Sequence, residues 1–171
     1  FSNPHLTNVT FTNNSAGVRG GAIFSNWGDP VLQNVIFTGN TALLYGGGMF
    51  GNDSNAILTD VTFTSNTAGY SGGGFHNSNS NPQLVGVLFD SNSAVYGGGG
   101  MYNNNAAAPV ITQCVFQANT ATLKGGGIYN GAASPVITNS RFGGHISEGK
   151  GGAIYSWQGA PRAEGGDFGG N

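Results

Sequence analysis

Residues 58–75 read Leu58-Thr59-Asp60-Val61-Thr62-Phe63-Thr64-Ser65-Asn66-Thr67-Ala68-Gly69-Tyr70-Ser71-Gly72-Gly73-Gly74-Phe75, and the pattern in this stretch decides the fold. Val61 and Phe63 are apolar and Thr62 and Thr64 polar, the alternation of a half-buried strand. Leu58 stands three residues before Val61, so alternation places both inside only if the chain bends between them. The residue available for that bend, Asp60, tolerates left-handed backbone angles. The glycines then lead into another short strand, with Phe75 directed inward and His76 outward.

The same pattern extends in both directions. Phe11, Phe37, Phe63, Phe89, Phe116, Phe142 and Phe168 recur every 26 residues, with one step of 27. Three residues after each phenylalanine comes Asn14, Asn40, Asn66, Asn92, Asn119, His145 or Asn171. The bend position reads Asn8, Asn34, Asp60, Gly86, Gln113 and Asn139, and the Leu58 position is also filled by Leu6, Leu32, Leu84, Ile111 and Ile137. The one extra residue falls within Asn103–Ala108, which marks that segment as an outward loop. A single coil cannot bury its own inward face, so the units must stack in register. Residues 1–171 therefore read as one all-β domain, a right-handed parallel β-helix (solenoid) of about 6.5 coils with three short strands per coil. Its repeats are 4–29, 30–55, 56–81, 82–108, 109–134 and 135–160 with a partial unit 161–171, and it reads as a piece or subunit of a longer array. At strand spacing the rod is on the order of 30 Å long.

Composition narrows the function. Charged residues make up 7% of the chain, net charge is −2, and the five Lys and Arg are scattered in sequence, which argues against a nucleic-acid partner. With 38% apolar residues at strict spacing, the 32 glycines and 21 asparagines do not indicate disorder. No run approaches a membrane span, so membrane insertion by this segment is not expected, and since the chain opens inside a repeat any export signal is expected upstream or already removed. Cys114 stands in an inward column with Val9, Val35, Val61 and Val87, where it reads as a small buried hydrophobe.

Phe-x-x-Asn in six of seven units, paired with Gly-Gly-Ala or Gly-Gly-Gly and an apolar residue in six of six, resembles the repeats of the chlamydial polymorphic outer membrane proteins and related extracellular bacterial proteins. The resemblance covers essentially the whole chain. It implies a β-helical autotransporter passenger exposed outside the cell or on the bacterial surface, commonly an adhesin. Its partner would be a host-cell surface protein or glycan. Two departures stand out: most units carry Gly-Gly-Gly, and unit six reads Phe142-Gly143-Gly144-His145.

In a stacked fold, chemistry must be sought down columns. Asn14, Asn40, Asn66, Asn92, Asn119 and Asn171 are expected to form a structural amide ladder. Phe24, Phe50, His76, Tyr102, Tyr129 and Tyr155 form an outward column, a candidate binding stripe whose faces suit sugar rings. The competing and stronger reading is that these rings stack on one another and shield the strand. Trp27 and Trp157 are expected in one neighbouring loop column, at opposite ends.

Many β-helices cleave polysaccharides, with paired acids or acids joined by a metal. Here Asp29, Asp53, Asp60, Asp90, Glu148, Glu164 and Asp167 never share a column on adjacent coils, and no Ser-His-Asp or zinc-ligand spacing is found. No catalytic residue, metal or cofactor is therefore expected, and the chain reads as a non-enzymatic rigid stalk or adhesive surface. Open solenoid ends suggest an alternative, head-to-tail stacking of copies into a filament. A threonine array (Thr10, Thr12, Thr38, Thr62, Thr64) suggests ice binding, but it breaks at Asp90, Gln117 and Gly143.

Overall fold

Asn8, Asn34, Asp60, Gly86, Gln113 and Asn139 all adopt positive φ, between 50° and 65°, in the computed structural model, which describes residues 2–171. This left-handed corner turns the chain between the Leu58-type and Phe63-type positions in every coil. On one side lie His5–Thr7, Val31–Gln33, Ile57–Thr59, Gln83–Val85, Val110–Thr112, Val136–Thr138 and Arg162–Glu164, hydrogen-bonded in that order as a parallel sheet. On the other lie Thr10–Thr12, Ile36–Thr38, Thr62–Thr64, Leu88–Asp90, Val115–Gln117, Arg141–Gly143 and Asp167–Gly169, again parallel and in order. Register is unbroken: Phe63 pairs with Phe37 and with Phe89.

The expectation of three strands per coil is corrected to four. The strand after the glycines is present as Ile23–Asn26, Met49–Asn52, Phe75–Ser78, Met101–Asn104, Ile128–Gly131 and Ile154–Trp157. Between it and the phenylalanine strand lies a further sheet of two-residue strands: Ser15–Ala16, Thr41–Ala42, Thr67–Ala68, Ser93–Ala94, Thr120–Ala121 and Ile146–Ser147. Two residues are too few to display an alternation, so this sheet carries no periodic signal of its own.

The glycine motif has a separate reason at each place. Gly72 has φ +68°, a region that side chains disfavour. At Gly73 an added Cβ would strike the carbonyls of Gly99 and Ser93 and sit 2.6 Å from Ser93 N, so the coils approach there backbone to backbone.

Inside, Phe37, Phe63, Phe89, Phe116 and Phe142 are at most 2% exposed and stack at centroid distances of 4.6–4.9 Å. Leu32, Leu58, Leu84 and Ile111 fill a second inward column, and Met49, Phe75, Met101 and Ile128 a third. Cys114 is buried among them, and burial pushes its thiol up to about 11. The extra residue of the long coil is absorbed at Asn105-Ala106, two consecutive residues with φ of 55° and 61°. Asn103 and Asn104 still pair in register with Asn130 and Gly131.

The last coil keeps the ladder while losing the core. Ala163 and Gly166 stand at the Ile137 and Ser140 positions, and its residues are exposed. Its acids face cations: Arg141 to Asp167 at 3.8 Å, and Arg162 to Glu164 at 2.5 Å.

Candidate functional site: a groove over stacked aromatic rings

The strand after the glycines alternates, so with Met49, Phe75, Met101 and Ile128 inward the next residues face away from the lumen. Phe24, Phe50, His76, Tyr102, Tyr129 and Tyr155 accordingly stand in one column, with ring centroids 4.6–5.5 Å apart. Their faces are taken by one another. Phe50, His76, Tyr102 and Tyr129 are only 3–8% exposed, whereas Phe24 at the first coil is half exposed. The rings thus stack on one another, as the stronger of the two readings expects, and the column offers mainly ring edges.

A second tier leans on this column. Tyr45 packs edge-on against His76 at 5.2 Å, Tyr70 and Tyr96 stack at 4.8 Å, and Tyr96 lies 5.6 Å from Tyr129. These tyrosines belong to the turn before the glycines and occupy two adjacent columns, so no single period announces them in the sequence.

Over the ring column runs a groove of about 330 Å³. Phe50, His76 and Tyr102 form its floor; Arg19, Tyr45 and Ser71 line one wall; Asn52, Ser78, Asn104 and Asn105 line the other. Asn105, in the enlarged turn of the long coil, ends up on the groove wall, where its side chain donates to Ser78 Oγ at 3.0 Å.

Burial lowers the His76 imidazole to about 3, which keeps it neutral near pH 7, and raises the Tyr102 phenol to about 12. Tyr129 is raised as well, first by burial and then by its hydrogen bond with Tyr96. The floor is consequently uncharged at neutral pH, and Arg19 is the one charged residue lining the groove. Its guanidinium lies 5.2 Å from the Phe50 ring centroid and 5.7 Å from that of Tyr45. Further along the same wall Lys124 Nζ lies 5.4 Å from the Tyr96 centroid and 5.1 Å from that of Tyr155. Arg19, Tyr45, Ser71, Gly97, Lys124 and Lys150 are bridged in sequence as one column.

Ser71 Oγ and His76 Nδ1 share a hydrogen bond of 2.9 Å, a pairing missed in the sequence because the three glycines fold its i,i+5 spacing back on itself. Ser71 is fully buried, and no carboxylate hydrogen-bonds to either partner among the described residues. Nor do three His, Cys, Asp or Glu side chains converge there to hold a metal.

The amide ladder is continuous from Asn14 to Asn119. Asn40, Asn66, Asn92 and Asn119 are fully buried, and each side-chain amide donates both along the stack and to a phenylalanine carbonyl, or, at Asn119, to the carbonyl alone. At the sixth rung His145 accepts from Asn119 N through Nδ1 at 3.1 Å, while its buried Nε2 has no partner. Asn171 resumes the column, accepting from His145 N at 3.4 Å.

A second ladder went unread: Asn77 donates to Asn103, Asn103 to Asn130, and Asn130 to Ser156 Oγ, at 3.0–3.2 Å. Its three asparagines recur at the period of the repeat, and that was the available signal. The two tryptophans do not share a column. Trp157 closes the strand Ile154–Trp157, opposite Gly131, whereas Trp27 follows the strand Ile23–Asn26 with φ 61°.

Four in-register parallel sheets, buried phenylalanine and asparagine columns, and one lateral groove define a β-solenoid. The chain belongs to the family described as right handed beta helix region, whose profile matches residues 1–168, and the handedness of the coil follows from that membership. No curated protein and no solved structure gave a significant match.

Proposed function

We propose that this chain is a non-catalytic extracellular recognition module, a rigid β-helix whose lateral groove meets a glycan or protein on a host-cell surface. The observation that carries this reading is the groove itself: ring edges for a floor, amides on one wall and a guanidinium on the other. Edges and amides of this kind suit hydroxylated rings, which need hydrogen bonds in their plane and apolar contact across it. No acid lines this groove, so the paired carboxylates that glycoside cleavage commonly uses are not found there. The surface location rests on the likeness of the Phe-x-x-Asn and glycine motifs to polymorphic outer membrane protein repeats.

Binding to host cells and to a glycan array tests the reading, comparing wild type with Asn52→Ala and Asn105→Ala, both on the groove wall, and with Tyr102→Ala on its floor. Asn52→Ala should keep a melting temperature near the native one, Asn105→Ala should lower it modestly because that residue has φ 55°, and both should lose binding several-fold. Undiminished binding in all three would remove the groove as the contact surface. Incubation with polysaccharides checks the non-catalytic half: shortened products that vanish in His76→Phe would make the protein an enzyme.

A further inference from the structure

We propose that the groove, together with the cation column that continues beyond it, takes an acidic oligosaccharide laid along the rod axis, with its rings against Phe50 and Tyr102 and its anionic groups on Arg19 and, past the end of the groove, Lys124. This rests on the recognition reading above and names the ligand class.

The chain has five Lys and Arg. Arg141 and Arg162 are engaged by Asp167 and Glu164. The other three, Arg19, Lys124 and Lys150, stand in a single column beside the aromatic stack, and among the described residues none of them has an ion pair. A chain so poor in charge thus gathers the cations without an ion pair among the described residues in one column, which starts on the groove wall at Arg19 and runs on past the groove to Lys124 and Lys150. Arg19 and Lys124 are seated on ring faces, which holds them in place without neutralising them. They are four coil steps apart, roughly 19 Å at strand spacing, so a ligand touching both must be long.

The opposite wall complements this with amides. Asp53, the neighbour of Asn52 in the chain, accepts from Asn52 Nδ2 at 2.6 Å and from Asn79 Nδ2, and it is not among the residues that line the groove. A carboxylated or sulfated sugar chain offers what both walls lack: anions for the cations and ring hydroxyls for the amides.

The test is titration calorimetry with three hexasaccharides, one of uronic acid, one sulfated and one neutral, on wild type, Arg19→Gln, Arg19→Lys, Lys124→Gln and the remote control Arg141→Gln. The first two sugars distinguish carboxylate from sulfate. Acidic hexasaccharides should bind more tightly than the neutral one and weaken with salt. Arg19→Gln and Lys124→Gln should each cost roughly three- to tenfold in affinity, with partial recovery in Arg19→Lys and no change in Arg141→Gln. Equal affinity for the neutral sugar, or a loss in Arg141→Gln matching that in Arg19→Gln, overturns the acidic ligand while leaving the groove as a recognition site. If Arg19→Gln lowers only the melting temperature, the cations serve the fold and the proposal is wrong. Binding to no glycan at all, together with undiminished cell binding by the wall variants, sinks the groove reading itself.

Discussion

The backbone N–H and the side-chain amide of Asn40 both donate to one atom, Oδ1 of Asn66, at 3.0 and 2.9 Å. The Asn66 amide in turn donates to the carbonyl of Phe37 and to Asn92. One side chain thereby satisfies two donors and a carbonyl that no water reaches. Asn66→Ala strands these groups in the interior, and unfolding in urea should show a loss of about 2–5 kcal/mol, since each buried orphan costs about 1–3 kcal/mol. A loss no larger than that of an exposed change such as Asn55→Ala would mean the ladder contributes little.

Phe63 is stacked at 4.7 Å on Phe37 and at 4.9 Å on Phe89, with nothing exposed. Phe63→Ala should cost about 3–5 kcal/mol. A measured loss below about 1 kcal/mol, the size of a surface effect, would contradict the inward column.

Two glycines should respond with opposite signs. At Gly73 the neighbouring backbones leave no room for a Cβ, so Gly73→Ala should destabilise by about 3 kcal/mol or more. At Gly51 the nearest atom to an added Cβ is a Phe75 ring carbon at 3.4 Å, an ordinary contact. Gly51 also pairs with Asn77, whose buried Oδ1 has no donor because glycine brings none to the end of that ladder. Gly51→Ser should supply the donor and raise stability by about 1 kcal/mol. Calorimetric melting of the pair decides both.

Two buried imidazoles make stability depend on pH. Burial depresses His76 to about 3 and His145 to about 4, from an ordinary 6.5. Between those values and 6.5 the unfolded chain binds more protons than the folded one, so the stabilisation is complete above 6.5 and is lost as pH falls through that window. His145→Asn restores the amide of the other rungs and removes the orphaned Nε2. Its stability curve should therefore be flatter between pH 6.5 and about 4. A curve parallel to wild type would show that His145 is not the titrating group.

The repeat carried the fold because solenoid stacking turns sequence period directly into spatial column. Asp60 could be read as a corner from its spacing to Leu58 and Val61, and the Asn66 column as a ladder from its place after Phe63. The strand Thr67–Ala68 was illegible, since two residues have no alternation to display. The groove was only half legible. The column of His76 and Tyr102 stood out by period, but its covering by Tyr45, Tyr70 and Tyr96 depends on side chains from two columns leaning across a turn. The hydrogen bond of Ser71 to His76 likewise depends on the path of the glycine turn, which residue type alone does not specify.

The in-register pairing of every coil with the next makes the molecule modular. Phe37 meets Phe63 much as Phe89 meets Phe116, so a tandem duplication of one 26-residue unit would present matching seams above and below. Recombination could therefore lengthen or shorten the shaft by whole turns without redesigning its interior. Lateral features such as the Asn105 bulge would be carried up or down like a fitting on a scaffold pole.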